Sequence, residues 1–249
     1  MKKSILIVLF MVLMSVIIYC NLFNNNIKAT ATNLTPVEEL KVKVPEPSGL
    51  YFDAINKTLW TVSDDNSTIY NLDLKGNTLS TIKVDGYDLE GITFLNDTVL
   101  VTVLEQDREV VFLNKSGKEI KRFTVDVKVK RNQGLEGVTF NKSDSTLFII
   151  TEKNPGLLIK VDLNGKILNK TKLIFASDYS GLQYSEYDST IYVISDEDKT
   201  IFKCSLDGTV LEKYKVKIKQ IEGIAIDREN SIMYIISDPL EKLFLFNLP

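Results

Sequence analysis

Histidine is absent from all 249 residues. That removes the commonest general base, the Ser-His and Cys-His nucleophile pairs, and most zinc sites. Cysteine is scarce: Cys20 lies in an apolar N-terminal run and Cys204 far downstream. The two cannot staple a domain internally, so burial and sheet hydrogen bonds must hold the fold, and cysteine usage says little about redox compartment. A basic excess is missing as well. Thirty Lys and Arg against 33 Asp and Glu give a net charge of −3, so no nucleic-acid footprint is expected. The remainder, 44% hydrophobic and 25% charged, is ordinary for a folded soluble body.

The one long apolar run is at the N-terminus. Lys2 and Lys3 precede residues 5–20, which are apolar except for Ser15, and Leu22 and Phe23 extend the stretch. Residues 1–23 read as a signal anchor or signal peptide rather than as part of the fold. Positive charge only before the run keeps the N-terminus in the cytoplasm and sends the rest outside. With Leu22 and Phe23 the stretch is long enough to span a bilayer with little tilt. Cleavage at Ala29-Thr30-Ala31 and lipidation at Cys20 are the alternatives to an uncleaved anchor. The expected location is therefore the cell membrane, single-pass with an extracytoplasmic domain, or the periplasm or exterior after cleavage. Residues 24–36 read as a polar tether and residues 37–249 as the folded domain.

That domain repeats. Leu89-Glu90-Gly91-Ile92-Thr93-Phe94 has a close copy in Leu135-Glu136-Gly137-Val138-Thr139-Phe140 and another in Ile221-Glu222-Gly223-Ile224. Two looser copies, Ser48-Gly49-Leu50 and Ser180-Gly181-Leu182, put Ser where Glu stood. The glycines fall at 49, 91, 137, 181 and 223, so the spacings are 42, 46, 44 and 42. A fixed period of this length marks a repeat architecture. Within each repeat a short strand leads through a polar turn to an almost unbroken apolar strand, such as Ile191-Tyr192-Val193-Ile194. A strand apolar on both faces is buried on both faces. A third strand and a tight hairpin at Gly76, Gly117, Gly165 or Gly208 follow. The fourth strand alternates, as in Thr124-Val125-Asp126-Val127 or Tyr214-Lys215-Val216-Lys217-Ile218.

The fifth repeat stops at Pro249 after its third strand, while Leu40-Lys41-Val42-Lys43-Val44, ahead of the first repeat, matches the fourth-strand pattern. The expected fold is all-β: a five-bladed β-propeller whose N-terminal strand completes the last blade. Closure removes open sheet edges.

The repeats also share acidic positions. Each apolar second strand runs into a carboxylate: Asp64, Glu105, Glu152, Asp196 and Asp238. Each first strand begins at Glu90, Glu136 or Glu222, or at Ser48 or Ser180. Antiparallel pairing sets the end of one strand beside the start of the other, so these eight carboxylates are expected at one mouth of the central channel. They cannot all stay ionised at close range without a counter-charge; either some are protonated or cations sit among them. Hard oxygen ligands suit Ca²⁺, and less often Mg²⁺. The competing reading makes the same residues structural, as turn caps or as acceptors for amides of the next blade. Trp60, Tyr70, Tyr192 and Tyr234 lie on the apolar strands and read as core.

The Leu-Glu-Gly and Ser-Gly-Leu starts, together with Tyr192-Val193-Ile194-Ser195-Asp196, resemble the SdiA-regulated protein family of bacteria and, more distantly, phytase-like and gluconolactonase-like propellers. The resemblance implies an exported or inner-membrane-anchored propeller, linked in some members to calcium binding and calcium homeostasis. Only Glu90, Glu136 and Glu222 match the acidic motif position.

Three functions follow. The first is a non-enzymatic Ca²⁺-binding propeller, a sensor or scaffold, whose partners are a divalent cation and an unidentified small molecule or protein at the mouth. The second is a metal-dependent hydrolase of a phosphoester or lactone, in which a bound cation makes hydroxide without any His. Phosphate recognition would then call on Arg108, Arg131, Lys153 or Lys199. The third, a carbohydrate- or peptide-binding module, needs aromatics at a mouth, where the sequence places few.

Overall fold

The computed structural model describes residues 30–249, of which Ala31–Pro249 form one compact unit. The signal-anchor segment, residues 1–23, lies outside the described residues, as do residues 24–29 of the tether. Among the described residues, no helix is long and apolar enough to cross a membrane. Their regular structure is entirely β, in five small sheets.

The apolar second strands are the most deeply buried elements. Thr58–Ser63, Thr146–Thr151 and Thr190–Ser195 are buried at every position. Each sits between a first strand on the channel side and a third strand outside it. Neighbouring blades close over both faces: Val62 and Ile69 of blade 1 pack with Ile92 and Leu104 of blade 2. Burying each such side chain is worth roughly 1.5–3 kcal/mol.

The ring closes as the sequence implies. Glu38–Lys41 pairs antiparallel with Lys242–Asn247, with Leu40 opposite Leu243, and supplies the missing fourth strand of blade 5. The fourth strands end earlier than the alternating pattern suggests. Those of blades 2, 4 and 5 are Glu119–Thr124, Val210–Lys215 and Glu38–Lys41. Val125 and Val127, Val216 and Ile218, and Val42 and Val44 lie just beyond and are buried. They alternate because the chain crosses there to the next blade, with every second side chain plugged into the seam between blades. A further difference lies at the end of the tether, where Thr32–Asn33 pairs in parallel with Tyr214 and Lys215 and adds a fifth strand to blade 4.

The hairpin glycines Gly76, Gly117, Gly165 and Gly208 have φ between 82° and 89°, the left-handed turn conformation glycine adopts without strain. The repeat glycines have a different reason. A Cβ on Gly91 would stand 2.7 Å from the Gly137 Cα, and one on Gly49 2.9 Å from the Gly91 Cα. One on Gly223 would lie 2.8 Å from the Gly49 carbonyl carbon. First strands meet backbone to backbone at the axis, and only glycine fits there.

A bulge accompanies this approach. Pairing of first and second strands slips between Ser48 and Leu50, Leu89 and Ile92, Leu135 and Gly137, and Ile221 and Gly223. A bulge re-aims its side chain; the unpaired residue is Glu136 in blade 3 and Glu222 in blade 5, Glu90 with Gly91 in blade 2, and Gly49 in blade 1, where Ser48 still pairs with Val62. Blade 4 has no slip; Gly181 pairs directly with Ile194.

Candidate functional site: an acidic mouth

At the start of the first strands a cavity of about 280 Å³ opens at the axis. Asp64, Glu90, Glu136, Glu152, Asp196, Glu222 and Asp238 all line it. Glu105, the eighth expected carboxylate, does not reach that lining. It is only 7% exposed and accepts the Gly134 amide of the next blade at 3.0 Å. It still has an oxygen within 4.8 Å of oxygens of Glu136 and Glu152.

Sequence reasoning missed Glu46 and Asp178, which line the cavity, and Asp88, which joins Asp64 and Glu90 in a second cluster of the same size. Glu197 lines the cavity too. The missed signal is periodic. Two residues before each Glu or Ser stand Glu46, Asp88, Gly134, Asp178 and Gln220. Their backbone role explains the assembly. The carbonyls of Glu46, Asp88, Gly134 and Gln220 accept the amides of Asp64, Glu105, Glu152 and Asp238 at 2.9–3.2 Å. Each bond ties the residue ahead of a first strand to the acid that ends its second strand. Glu46, Asp88 and Gln220 hold this place with positive φ, at 41°, 66° and 41°. In blade 4 the Asp178 carboxylate replaces the carbonyl, accepting from the Ser195 hydroxyl and from the Asp196 and Glu197 amides.

Positive charge at the mouth is confined. Lys153 lines it and binds Glu152 at 2.6 Å and Glu197 at 3.0 Å. Arg108 donates instead to the Val127 carbonyl, Arg131 to the Gln106 side chain, and neither these nor Lys199 line the cavity. Other donors are few: Ser48 Oγ donates to Glu90 at 2.5 Å, whereas Ser180 Oγ donates to the Ile221 carbonyl.

Proton affinities rise accordingly. Burial first, then neighbouring carboxylates, holds Glu90, Glu136 and Glu222 well above the usual carboxylate range. Burial, with Asp88 beside each, pushes Asp64 and Glu105 up to about 7. Asp178, Asp196 and Asp238 are raised as well, again chiefly by burial. In Asp196 the Gln220 and Ile221 amides oppose that shift.

The carboxylates form two donor sets of the size that a metal ion needs. Asp64, Asp88 and Glu90 offer one oxygen each within 4.8 Å of one another, as do Glu105, Glu136 and Glu152. Opposed ligands of Ca²⁺ lie roughly 4.6–5.2 Å apart, twice the Ca–O distance. All six are hard oxygens, so the fit is to Ca²⁺ or Mg²⁺ and not to a soft metal. Trp60, Tyr192 and Tyr234 are buried as expected, and Tyr70 half-buried.

Solved structures share this architecture. A glutaminyl cyclase from Myxococcus xanthus superposes with a TM-score of 0.70 at 12% identity, over 88% of this chain and 97% of that one. A luciferin-regenerating enzyme superposes with a TM-score of 0.55 at 15% identity, over 85% and 94%. Such identities show a shared fold alone. The model of the SdiA-regulated family matches residues 25–246. With its five blades, its Glu-Gly first strands and that match, the chain belongs to the SdiA-regulated family.

Proposed function

We propose that this protein is an exported, membrane-anchored propeller that binds Ca²⁺ at its acidic mouth and acts as a sensor or scaffold, or in calcium homeostasis. The observation that carries the reading is Glu136. It is 8% exposed, no amide, hydroxyl or cation among the described residues donates to it, and it shares its pocket with Glu90 and Glu222. A buried carboxylate left without donors is costly unless it keeps its proton or meets a cation. The apolar run at residues 5–20 supports export and anchoring. A metal-dependent hydrolase of a phosphoester or lactone would draw on the same cations. Its phosphate would find only Lys153, already held by Glu152 and Glu197.

Stability against pH tests the reading. Asp64 and Glu105 rise from 3.8 and 4.5 to about 7 on folding. The folded state therefore binds more protons than the unfolded one. Their contribution is fully present below the unfolded values and is lost as pH rises through about 7. Without divalent cations the melting temperature should fall by several degrees between pH 5 and pH 8. Millimolar Ca²⁺ should restore it at pH 8. In the Glu90→Gln, Glu136→Gln, Glu222→Gln variant the chelated protein should melt no lower than wild type at pH 8, and Ca²⁺ should add nothing. Equal Ca²⁺ stabilisation of wild type and variant would remove the mouth as the site. Turnover of phosphomonoesters, phytate or lactones with Ca²⁺ would put the hydrolase in place of the sensor.

A further inference from the structure

The first strands have a second end. Each runs from the acidic mouth to the opposite face. Three residues past the axial glycine stand Phe52, Phe94, Phe140, Tyr184 and Ile226, one per blade. A cavity of about 400 Å³ opens there, lined among others by Tyr51, Thr93, Phe94, Phe140, Lys142 and Gln183. The aromatics that the sequence reading placed sparsely at a mouth are at this one, carried by the first strands.

Its polar groups are half used. Thr93 and Thr139 are 2% and 1% exposed. Their hydroxyl oxygens accept the Phe140 and Tyr184 amides of the next blade at 3.3 and 3.0 Å. Neither hydroxyl donates to any described residue, and both line the cavity. Gln183 uses its amide nitrogen on the Tyr184 carbonyl at 2.8 Å, and its side-chain oxygen receives nothing among the described residues. The Tyr51 ring stacks on Phe94 at 4.9 Å, and its phenol, whose pKa burial, with Asp53 and Asp97, pushes up to about 12, is a protonated hydrogen-bond donor.

Charge narrows the class of ligand. Lys142 is the cavity's single lining cation, Asp97 and Glu186 stand at the same cavity, and Lys115 pairs with Asp53 at 3.4 Å. Nothing there would hold a phosphate or a carboxylate in a fork of cations. The complement of flat apolar faces beside free hydroxyl and amide groups is an uncharged ring rich in hydroxyls, and the volume is that of a small-molecule site. We propose that this second mouth binds a neutral carbohydrate of one or two rings.

Trp60 reports on it. It is the chain's single tryptophan, and its ring lies 5.3 Å from that of Phe94 in the cavity lining. The full-length chain, in a detergent without a sugar headgroup, is titrated with neutral mono- and disaccharides while tryptophan emission is followed. A saturable change is expected. Tyr51→Phe with Gln183→Leu should weaken it at least tenfold while circular dichroism stays native. The triple Gln variant of the acidic mouth should leave it intact. Flat titrations across the panel would overturn the proposal, as would affinity unchanged in the Tyr51/Gln183 variant. A response to nucleosides or peptides but not to sugars would overturn the carbohydrate class. Should Tyr51→Phe with Gln183→Leu not fold, Lys142→Ala and Gln183→Asn are read in its place.

Discussion

Gly91 and Glu136 are separated by one turn of the repeat and illustrate two kinds of constraint. A methyl group on Gly91 would meet the Val138 nitrogen at 2.5 Å and the Gly137 Cα at 2.7 Å. Both are backbone atoms and cannot swing away, so overpacking has no cheap release. Gly91→Ala is expected to cost about 3 kcal/mol or more, read as a shifted denaturant midpoint. A loss under about 1 kcal/mol would mean the first strands are not locked at the axis. Glu136, by contrast, is permitted by packing and constrained by charge. The spacing of the glycines was legible in the sequence, but their reason was not, because close approach between blades joins residues more than forty positions apart. Asp88 and Asp178 escaped notice for a related reason. They precede the first strand, where an acid reads as turn chemistry, and only the Glu105 amide's bond to the Asp88 carbonyl, and the Asp196 and Glu197 amides' bonds to the Asp178 carboxylate, tie that turn to the acids of the mouth.

The second strands were the most legible elements, since apolar residues on both faces admit one placement between two blades. The fourth strands were less so. Alternation in Val125 and Val127 mimics a strand with one wet face, yet the chain there crosses a seam. The closing strand was legible by subtraction, as the piece that blade 5 lacks, and by the likeness of residues 40–44 to the fourth strands, although it runs from Glu38 to Lys41. It carries a test of its own. Deleting residues 30–42 leaves Lys242–Asn247 as an unpaired edge over an apolar seam. Such edges recruit other chains. The truncated protein should melt well below the intact one and associate on a sizing column. A truncated chain that stays monomeric with an unchanged melting temperature would show that the ring does not depend on this strand.

Taken whole, the molecule is a closed ring with two unlike ends. One end gathers the carboxylates and a single tethered ammonium, Lys153. The other presents aromatics and idle hydroxyls. Between them the glycine ring brings backbones into contact, so the channel is a core and not a pore. The acidic end is uneven. Both carboxylate clusters belong to blades 1 to 3, and Lys153 pairs with Glu152 of one of them and with Glu197. Proton affinity is raised across both clusters, so a cation bound there would have to displace protons, because metal ligands bind deprotonated.

Proton release on Ca²⁺ binding is thus the most direct measurement. The metal-free full-length chain is titrated with Ca²⁺ by calorimetry at pH 7, in two buffers of different ionisation enthalpy. A saturable heat should differ between the buffers by the equivalent of about one proton or more released per ion, as ligand deprotonation requires. The Glu90→Gln, Glu136→Gln, Glu222→Gln variant should lose both the heat and the buffer dependence. A silent titration, or one with the same heat in both buffers, would contradict a mouth at which cations and protons compete.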